Sequence, residues 1–335
     1  MNKVRFGIIG SGGIAQKRTI PGLLLAENAV CEAVMDLNTE LLNQAGDKFG
    51  IARRYSSLEE LLAQPDIDAV YIATPVFCHK EQVFQAADAG KHILLEKPMG
   101  LTAAEGEEMQ AYCAAKGVKL GVGFMMRFHG AHEEIKDLIA AGEIGEIVSA
   151  FAKFNCDYPP SGNLWRQTKA RSGGGAMMDM GIHCIDLLQH MTDLKAVGVT
   201  GFAGNQIYSY PDTEDAATAI LRMSNGALFT VEANFNITDE IGGCRFEIYG
   251  TTGCIVAERT LGQTETGEVT CTTLAGGRRA VAYDTKNMYT KEIEGFAAAI
   301  LSGTAEPVPA AEAVFNQKLV EAVYESQETG KHITL

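Results

Sequence analysis

VRFGIIGSGGIA, residues 4–15, is the stretch that decides the fold. An apolar run of strand length ends at Gly10-Ser11-Gly12-Gly13-Ile14-Ala15, and a helical pattern follows at once. This is G-x-G-x-x-[GA] in the strand–turn–helix setting that gives the string its meaning. The glycines permit a tight turn and let a pyrophosphate approach backbone N–H groups at the positive end of a helix. Next outward, AVCEAVMD (29–36) reads as a second strand ending on Asp36, 21 residues beyond Ala15. A carboxylate there accepts hydrogen bonds from both hydroxyls of an adenosine ribose and repels a 2′-phosphate, which favours NAD over NADP. Arg53 and Arg54 keep NADP open, because a nearby Arg can pair with that phosphate. Gly10, Gly12, Gly13, Ile14 and Asp36 are the candidate cofactor contacts here; the competing reading is a glycine turn with no ligand.

ARRYS (52–56), AVYIAT (69–74), HILLEK (92–97) and LGVGFM (120–125) continue the strand series, with helical patterns between them. Near-continuous apolar strands alternating with helices predict an α/β Rossmann domain with a doubly wound parallel sheet over residues 1–124. Pro21 inside the first helical pattern predicts a kink or break. Ligands in such sheets bind beyond the carboxyl ends of the strands. Thr74-Pro75 and Glu96-Lys97-Pro98 close the fourth and fifth strands and point to that crevice; Lys97 is either a solvated loop charge or an active-site ammonium.

The character changes over 125–335. After one helix and the strand EIVSAFAKFN come a long loop, a helix, and then strand patterns without helices between them. The pair around Ser224-Asn225-Gly226 reads as a hairpin. This predicts an α+β second domain with a large, mostly antiparallel open sheet, finished by helices over 288–302 and 310–329.

A net charge of −14 argues against nucleic acid or an anionic membrane as partner. No segment approaches the ~20 apolar residues of a membrane span, and MNKVRFG does not read as a signal peptide. Eight cysteines are scattered without a C-x-x-C pair, which suits buried thiols in a reducing cytoplasm.

The stretch RSGGGAMMDMGIHCIDLL (171–188) places Asp179 and His183 four apart after three glycines. That spacing puts an acid and an imidazole on one helix face. Three readings compete. Asp179, His183, Asp186 and His190 recur as any solvent-facing stripe does, and Asp186 and His190 are assigned to solvent. A metal site needs a third protein ligand, which no nearby string offers. A catalytic pair would use His183, whose ordinary pKa suits proton transfer at neutral pH, with Asp179 to orient it or to share the substrate hydroxyl; Lys97 is the alternative group to take the proton. The glycines are expected to let backbone run close to cofactor or substrate.

The motifs in order resemble the Gfo/Idh/MocA oxidoreductases. They are the early glycine turn, Thr74-Pro75 with His79, Glu96-Lys97-Pro98, Gly123-Phe124-Met125-Met126-Arg127-Phe128, GEIG (142–145), and Gly173-Gly174-Gly175 before Asp179 and His183. Trp165-Arg166, FEIYGTTG (246–253) and Asn287-Met288-Tyr289 look most like members acting on pyranose rings, such as 1,5-anhydrofructose reductases and xylose dehydrogenases. The resemblance implies hydride transfer between NAD(P) and a secondary alcohol or ketone of a sugar or polyol. It implies that Lys97 lies between nicotinamide and substrate, that Glu96 binds the nicotinamide ribose, and that Thr74 and Pro75 line the nicotinamide. His183 becomes the proton acceptor and donor beside Asp179. His79 and Arg166 join the candidate cofactor contacts; Arg127, Tyr158 and Trp165 join Lys97, Asp179 and His183 as candidate substrate contacts. The family's open sheet implies a homodimer or homotetramer. The rival functions are glycoside cleavage through transient ring oxidation with retained NAD, and a non-catalytic NAD-bound regulator.

Overall fold

The structure is a computed structural model and describes residues 3–160 and 165–335. Backbone proximity divides the chain into Met1–Met125 with Asn287–Val314, and Met126–Lys286 with Phe315–Leu335.

In the first unit, β1 (Val4–Ile9), β2 (Ala29–Met35), β3 (Arg53–Tyr55), β4 (Ala69–Ile72), β5 (His92–Glu96) and β6 (Leu120–Gly123) form a parallel sheet in the order β3-β2-β1-β4-β5-β6. The order reverses between β1 and β4, where ligands of such sheets bind. β4 is buried along its whole length, as helices on both faces require. Side-chain caps set the helix starts: Asn38 accepts from the Glu40 and Leu41 N–H groups, and Thr102 from Glu105. The expected irregularity at Pro21 is real. The first helix opens as a π-turn over Ala15–Thr19 and becomes α-helical at Ile20–Leu25, with Pro21 in its first turn, where a missing N–H is tolerated.

Helix Met288–Ser302 belongs to this unit although 161 residues separate Met125 from Asn287. Its Ile293, Phe296 and Ala297 pack in one core with Phe6, Ile8, Tyr71 and Leu94. The rings of Phe6 and Phe296 lie 6.4 Å apart. A single boundary at 124/125 therefore does not describe the chain's return to the first sheet.

In the second unit, nine strands pair among the described residues: β7 (Ile147–Asn155), β8 (Ala196–Gly204), β9 (Ala216–Met223), β10 (Leu228–Asn234), β11 (Arg245–Gly250), β12 (Gly253–Glu258), β13 (Glu268–Thr273), β14 (Gly277–Ala280) and β15 (Ile333–Thr334). Their order is β14-β13-β12-β11-β7-β10-β9-β8-β15, antiparallel except where β7 meets β10. The β9–β10 hairpin turns through Gly226 at φ +91°, and Asn225 braces the turn by accepting from the Ala227 N–H. Burial alternates along β9, leaving one face open with Phe202, Ile220, Leu228 and Tyr249 exposed on it. Helix Ile182–Thr192 is buried nearly all round. The eight cysteines form no disulfide; Cys113, Cys184 and Cys271 are buried and the other five half-buried.

Candidate active site

The cofactor end of the first unit is built by contacts between strand ends. Gly10 has φ +88°, and a Cβ there would meet Thr74 Cγ2 at 2.9 Å and the Ala73 carbonyl at 3.1 Å. Only glycine lets the turn after β1 lie this close to the end of β4. Gly13 also needs positive φ, at +30°, whereas a Cβ on Gly12 would meet only Leu41 at 3.4 Å. Ile14 has helical backbone at the start of the π-turn. Asp36 is half-buried and held by three donors: the Ser11 N–H at 2.8 Å, the Ser11 hydroxyl at 3.2 Å and the Asn38 N–H at 2.8 Å. Its carboxylate is thereby seated beside the glycine turn, as a ribose acceptor must be. Arg53 and Arg54, which left NADP open, have acidic partners of their own. Arg53 makes a bidentate pair with Asp66 at 2.6 and 2.9 Å, and Arg54 pairs with Asp47 at 2.7 Å.

His79 differs from its expected role. It is buried, with Nε2 2.9 Å from the Thr74 carbonyl and Nδ1 3.1 and 3.3 Å from the Pro98 and Met99 carbonyls. The ring ties the loops after β4 and β5 together instead of being presented to a cofactor; burial lowers its pKa and favours the neutral form. It positions Thr74-Pro75 and Lys97-Pro98, whose peptide bond is cis. Glu96 and Lys97 are half-buried at the end of β5, and Glu96 accepts from the Tyr71 hydroxyl at 2.7 Å. Behind them lies a carboxyl not singled out from the sequence. Glu292 is 2% exposed, with no hydrogen-bond partner on either oxygen among the described residues, and burial together with the Glu96 charge raises its pKa well above the carboxylate range. It occupies the inward stripe of its helix between Tyr289 and Phe296, and that periodicity could have flagged it.

The second unit gathers a different set. Asp179 lies on a π-turn, Met177–Gly181, which runs directly into Ile182–Thr192. Asp179 is half-exposed and His183 is buried. Arg166 Nε stands 3.7 Å from Asp179 Oδ2, and its guanidinium lies 4.2 Å from the centre of the Trp165 ring. Arg166 Nη1 also donates to the Tyr158 hydroxyl at 3.5 Å. Phe154 lies beside His183 at 6.2 Å between ring centres. Tyr158, Trp165, Arg166 and Asp179 thus form one polar–aromatic cluster, a composition suited to a ring bearing hydroxyls.

Two expectations change here. Asp186 is not on the surface: it is buried, and His190 is half-buried with its pKa pushed down to about 3 by burial and by the nearby cations Arg127, Lys136 and Lys195. Arg127 is equally buried and makes a bidentate ion pair with Asp186 at 2.8 and 2.5 Å. The structure therefore gives Arg127 a structural partner in place of a substrate. Two of the three glycines also have a structural explanation. A Cβ on Gly174 would stand 2.2 Å from the Tyr324 hydroxyl oxygen, and one on Gly175 would stand 2.0 Å from the Glu214 carbonyl. Protein packs against them, where ligand was expected. Neither Glu214 nor Tyr324 carries a local sequence signal.

Residues 4–124 match the oxidoreductase family with NAD-binding Rossmann fold, and residues 132–256 match the GFO/IDH/MocA C-terminal domain. The chain belongs to the Gfo/Idh/MocA oxidoreductases. It is 30% identical to a D-xylose 1-dehydrogenase (NADP(+)) of Haloferax volcanii over 98% of this chain and 99% of that one. It is likewise 30% identical to a 1,5-anhydro-D-fructose reductase of Ensifer adhaerens over 88% of each. Among solved structures it is similar to levoglucosan dehydrogenase in complex with NADH and levoglucosan, with TM-score 0.90, 25% identity and 99% coverage of both chains. The protein is therefore an NAD(P)-dependent oxidoreductase with a Rossmann first unit, and the glycine turn with the seated Asp36 fits that cofactor. No helix among the described residues is long and apolar enough to cross a membrane.

Proposed function

We propose that this protein transfers a hydride between NAD and a secondary alcohol or ketone of a sugar, polyol or sugar derivative, using Lys97, Asp179 and His183. The observation that carries the reading is the Tyr158–Trp165–Arg166–Asp179 cluster beside the helix bearing His183. Relatives named for xylose, 1,5-anhydrofructose and levoglucosan support a cyclic polyhydroxy substrate.

Oxidation of a CH–OH group removes a hydride from carbon and a proton from oxygen, leaving a carbonyl. The bound nicotinamide ring supplies the hydride acceptor in this direction and the donor in reverse. His183 takes the hydroxyl proton and Asp179 holds the imidazole's geometry. The Lys97 ammonium hydrogen-bonds the same oxygen as negative charge develops. Arg166, Trp165 and Tyr158 hold the ring. The preference for NAD over NADP rests on Asp36, whose charge opposes a 2′-phosphate, and on the carboxylate partners of Arg53 and Arg54. A cytoplasmic location completes the reading.

Absorbance of reduced nicotinamide, followed across pyranoses, inositols and keto-sugars with NAD and NADP, tests it. Turnover with at least one sugar and severe loss in Lys97→Met are expected. Failure with every member of the panel, or a fully active Lys97→Met, overturns the reading. We also assign the open sheet face with Phe202, Ile220, Leu228 and Tyr249 as the contact of a homodimer or homotetramer. Light scattering that reads a monomer mass at micromolar concentration refutes that assignment.

A further inference from the structure

Glu214 lies two residues before β9, and it takes three successive backbone N–H groups at the start of the turn that carries Asp179. Its Oε2 accepts from Gly175 at 2.9 Å, its Oε1 from Met177 at 2.8 Å, and its own carbonyl from Ala176 at 3.2 Å. The Tyr324 hydroxyl donates to the same Oε1 at 2.9 Å. Glu214 is 7% exposed and Tyr324 is half-buried; desolvation and the neighbouring Glu214 charge raise the phenol's pKa well above its ordinary value, so it keeps its proton and remains a donor. Helices ordinarily satisfy these first N–H groups with a side chain from the adjoining residue. Here residue 176, which precedes the π-turn, is alanine and caps nothing. The acceptor comes from 39 residues away in sequence for Gly175 and 37 for Met177.

We propose that Glu214, braced by Tyr324, is a positioning residue that sets the start of the Met177–Gly181 turn and thereby the placement of Asp179 and His183. It rests on the assignment of those two residues to the reaction. The arrangement accounts for Gly174 and Gly175, since any side chain there would collide with Tyr324 or with the Glu214 backbone. It also explains why a carboxylate is needed. Two backbone N–H groups and a phenol all donate to one side chain, so both of its oxygens must accept. An amide in its place accepts on one oxygen only and turns an NH2 toward the other backbone donor. Burial pushes the Glu214 pKa up, and the backbone N–H groups and the phenol that donate to it pull the other way by favouring the charged form.

The test pairs Glu214→Gln with Tyr324→Phe in the full-length protein. Hydrogen exchange of the amides of residues 175–181, read by mass spectrometry, is independent of any substrate. Exchange there is expected to rise in Glu214→Gln, and to rise less in Tyr324→Phe, which keeps both backbone bonds. With a sugar that the wild type turns over, kcat is expected to fall about ten- to hundredfold in Glu214→Gln, the scale of an ångström-sized misplacement. The Kd for NADH should be unchanged. Unaltered exchange in a folded Glu214→Gln variant overturns the clamp. Raised exchange with wild-type kcat overturns the positioning role and leaves a purely structural one. A wild type that turns over no sugar instead refutes the proposed function, while the exchange result still decides whether the clamp exists.

Discussion

Removing the Asp186 carboxylate should cost far more than its place in a polar stripe suggests. Its side chain is 2% exposed and that of its partner Arg127 is 6% exposed. Two charge-assisted bonds join them, and the Asn316 amide donates to the same carboxylate at 2.7 Å. Asp186→Ala leaves a guanidinium buried without its carboxylate and strands the Asn316 amide as well. Breaking a buried pair in this way costs about 3–5 kcal/mol, mostly the desolvation of the charge left behind. At about 2–4 °C per kcal/mol for a unit of this size, the second unit's melting transition should fall by on the order of 10 °C. Scanning calorimetry reads it directly. A companion double variant, Arg127→Met with Asp186→Leu, removes both charges and should recover the part of the loss due to the buried guanidinium, leaving only the cost of the Asn316 amide without its acceptor. A single variant within about 0.5 kcal/mol of wild type, the usual range for surface substitutions, would refute the reasoning, as would a double variant no better than the single one.

Glu292 ties stability to pH. Its folded-state pKa is raised by burial, so the folded protein holds a proton that the unfolded chain releases above about pH 4.3. The stability this group contributes is fully present below the unfolded pKa and is lost as pH rises toward the folded one, at up to about 1.4 kcal/mol per pH unit. Glu292→Gln removes that proton uptake, so its stability between about pH 5 and 8 should fall less steeply than that of wild type; equal slopes in urea unfolding would contradict the protonated assignment. Asp36→Ala should weaken NAD by about ten- to hundredfold through lost charge-assisted hydrogen bonds and weaken NADP less. A titration giving the opposite order would reverse the cofactor preference.

What was legible in the sequence was local. The glycine turn, the six parallel strands and the two closing helices each announce themselves through a periodicity or a turn residue within a dozen positions. β14 escaped notice because Gly277-Arg278-Arg279-Ala280 is charged and exposed, and β15 because it has only two residues. Motif position was enough to place Asp36 beside the glycine turn, where the Ser11 and Asn38 donors hold it, whereas readings that depend on partners changed. The helical stripe containing Asp186 has the same period whether it faces water or protein, and the Arg that decides the matter lies 59 residues away. His79 sits where a cofactor contact was expected, but the carbonyls of Thr74, Pro98 and Met99 claim its ring. The glycines before Asp179 announced a close approach without saying by what; Tyr324 enters from the last helix, Ala310–Thr329.

The return of Met288–Ser302 to the first sheet has a consequence for synthesis on the ribosome. Phe6, Ile8, Tyr71 and Leu94 need Ile293, Phe296 and Ala297 to complete their core, and those residues are translated only after the whole of Met126–Lys286. At about 5–20 residues per second, the amino-terminal sheet waits roughly ten to forty seconds with one apolar flank uncovered. The nascent chain cannot bank a finished nucleotide-binding domain before translating the rest. Truncated products ending near Met125 should therefore be clients for chaperones, and a designer transplanting this cofactor domain must carry the distant helix with it.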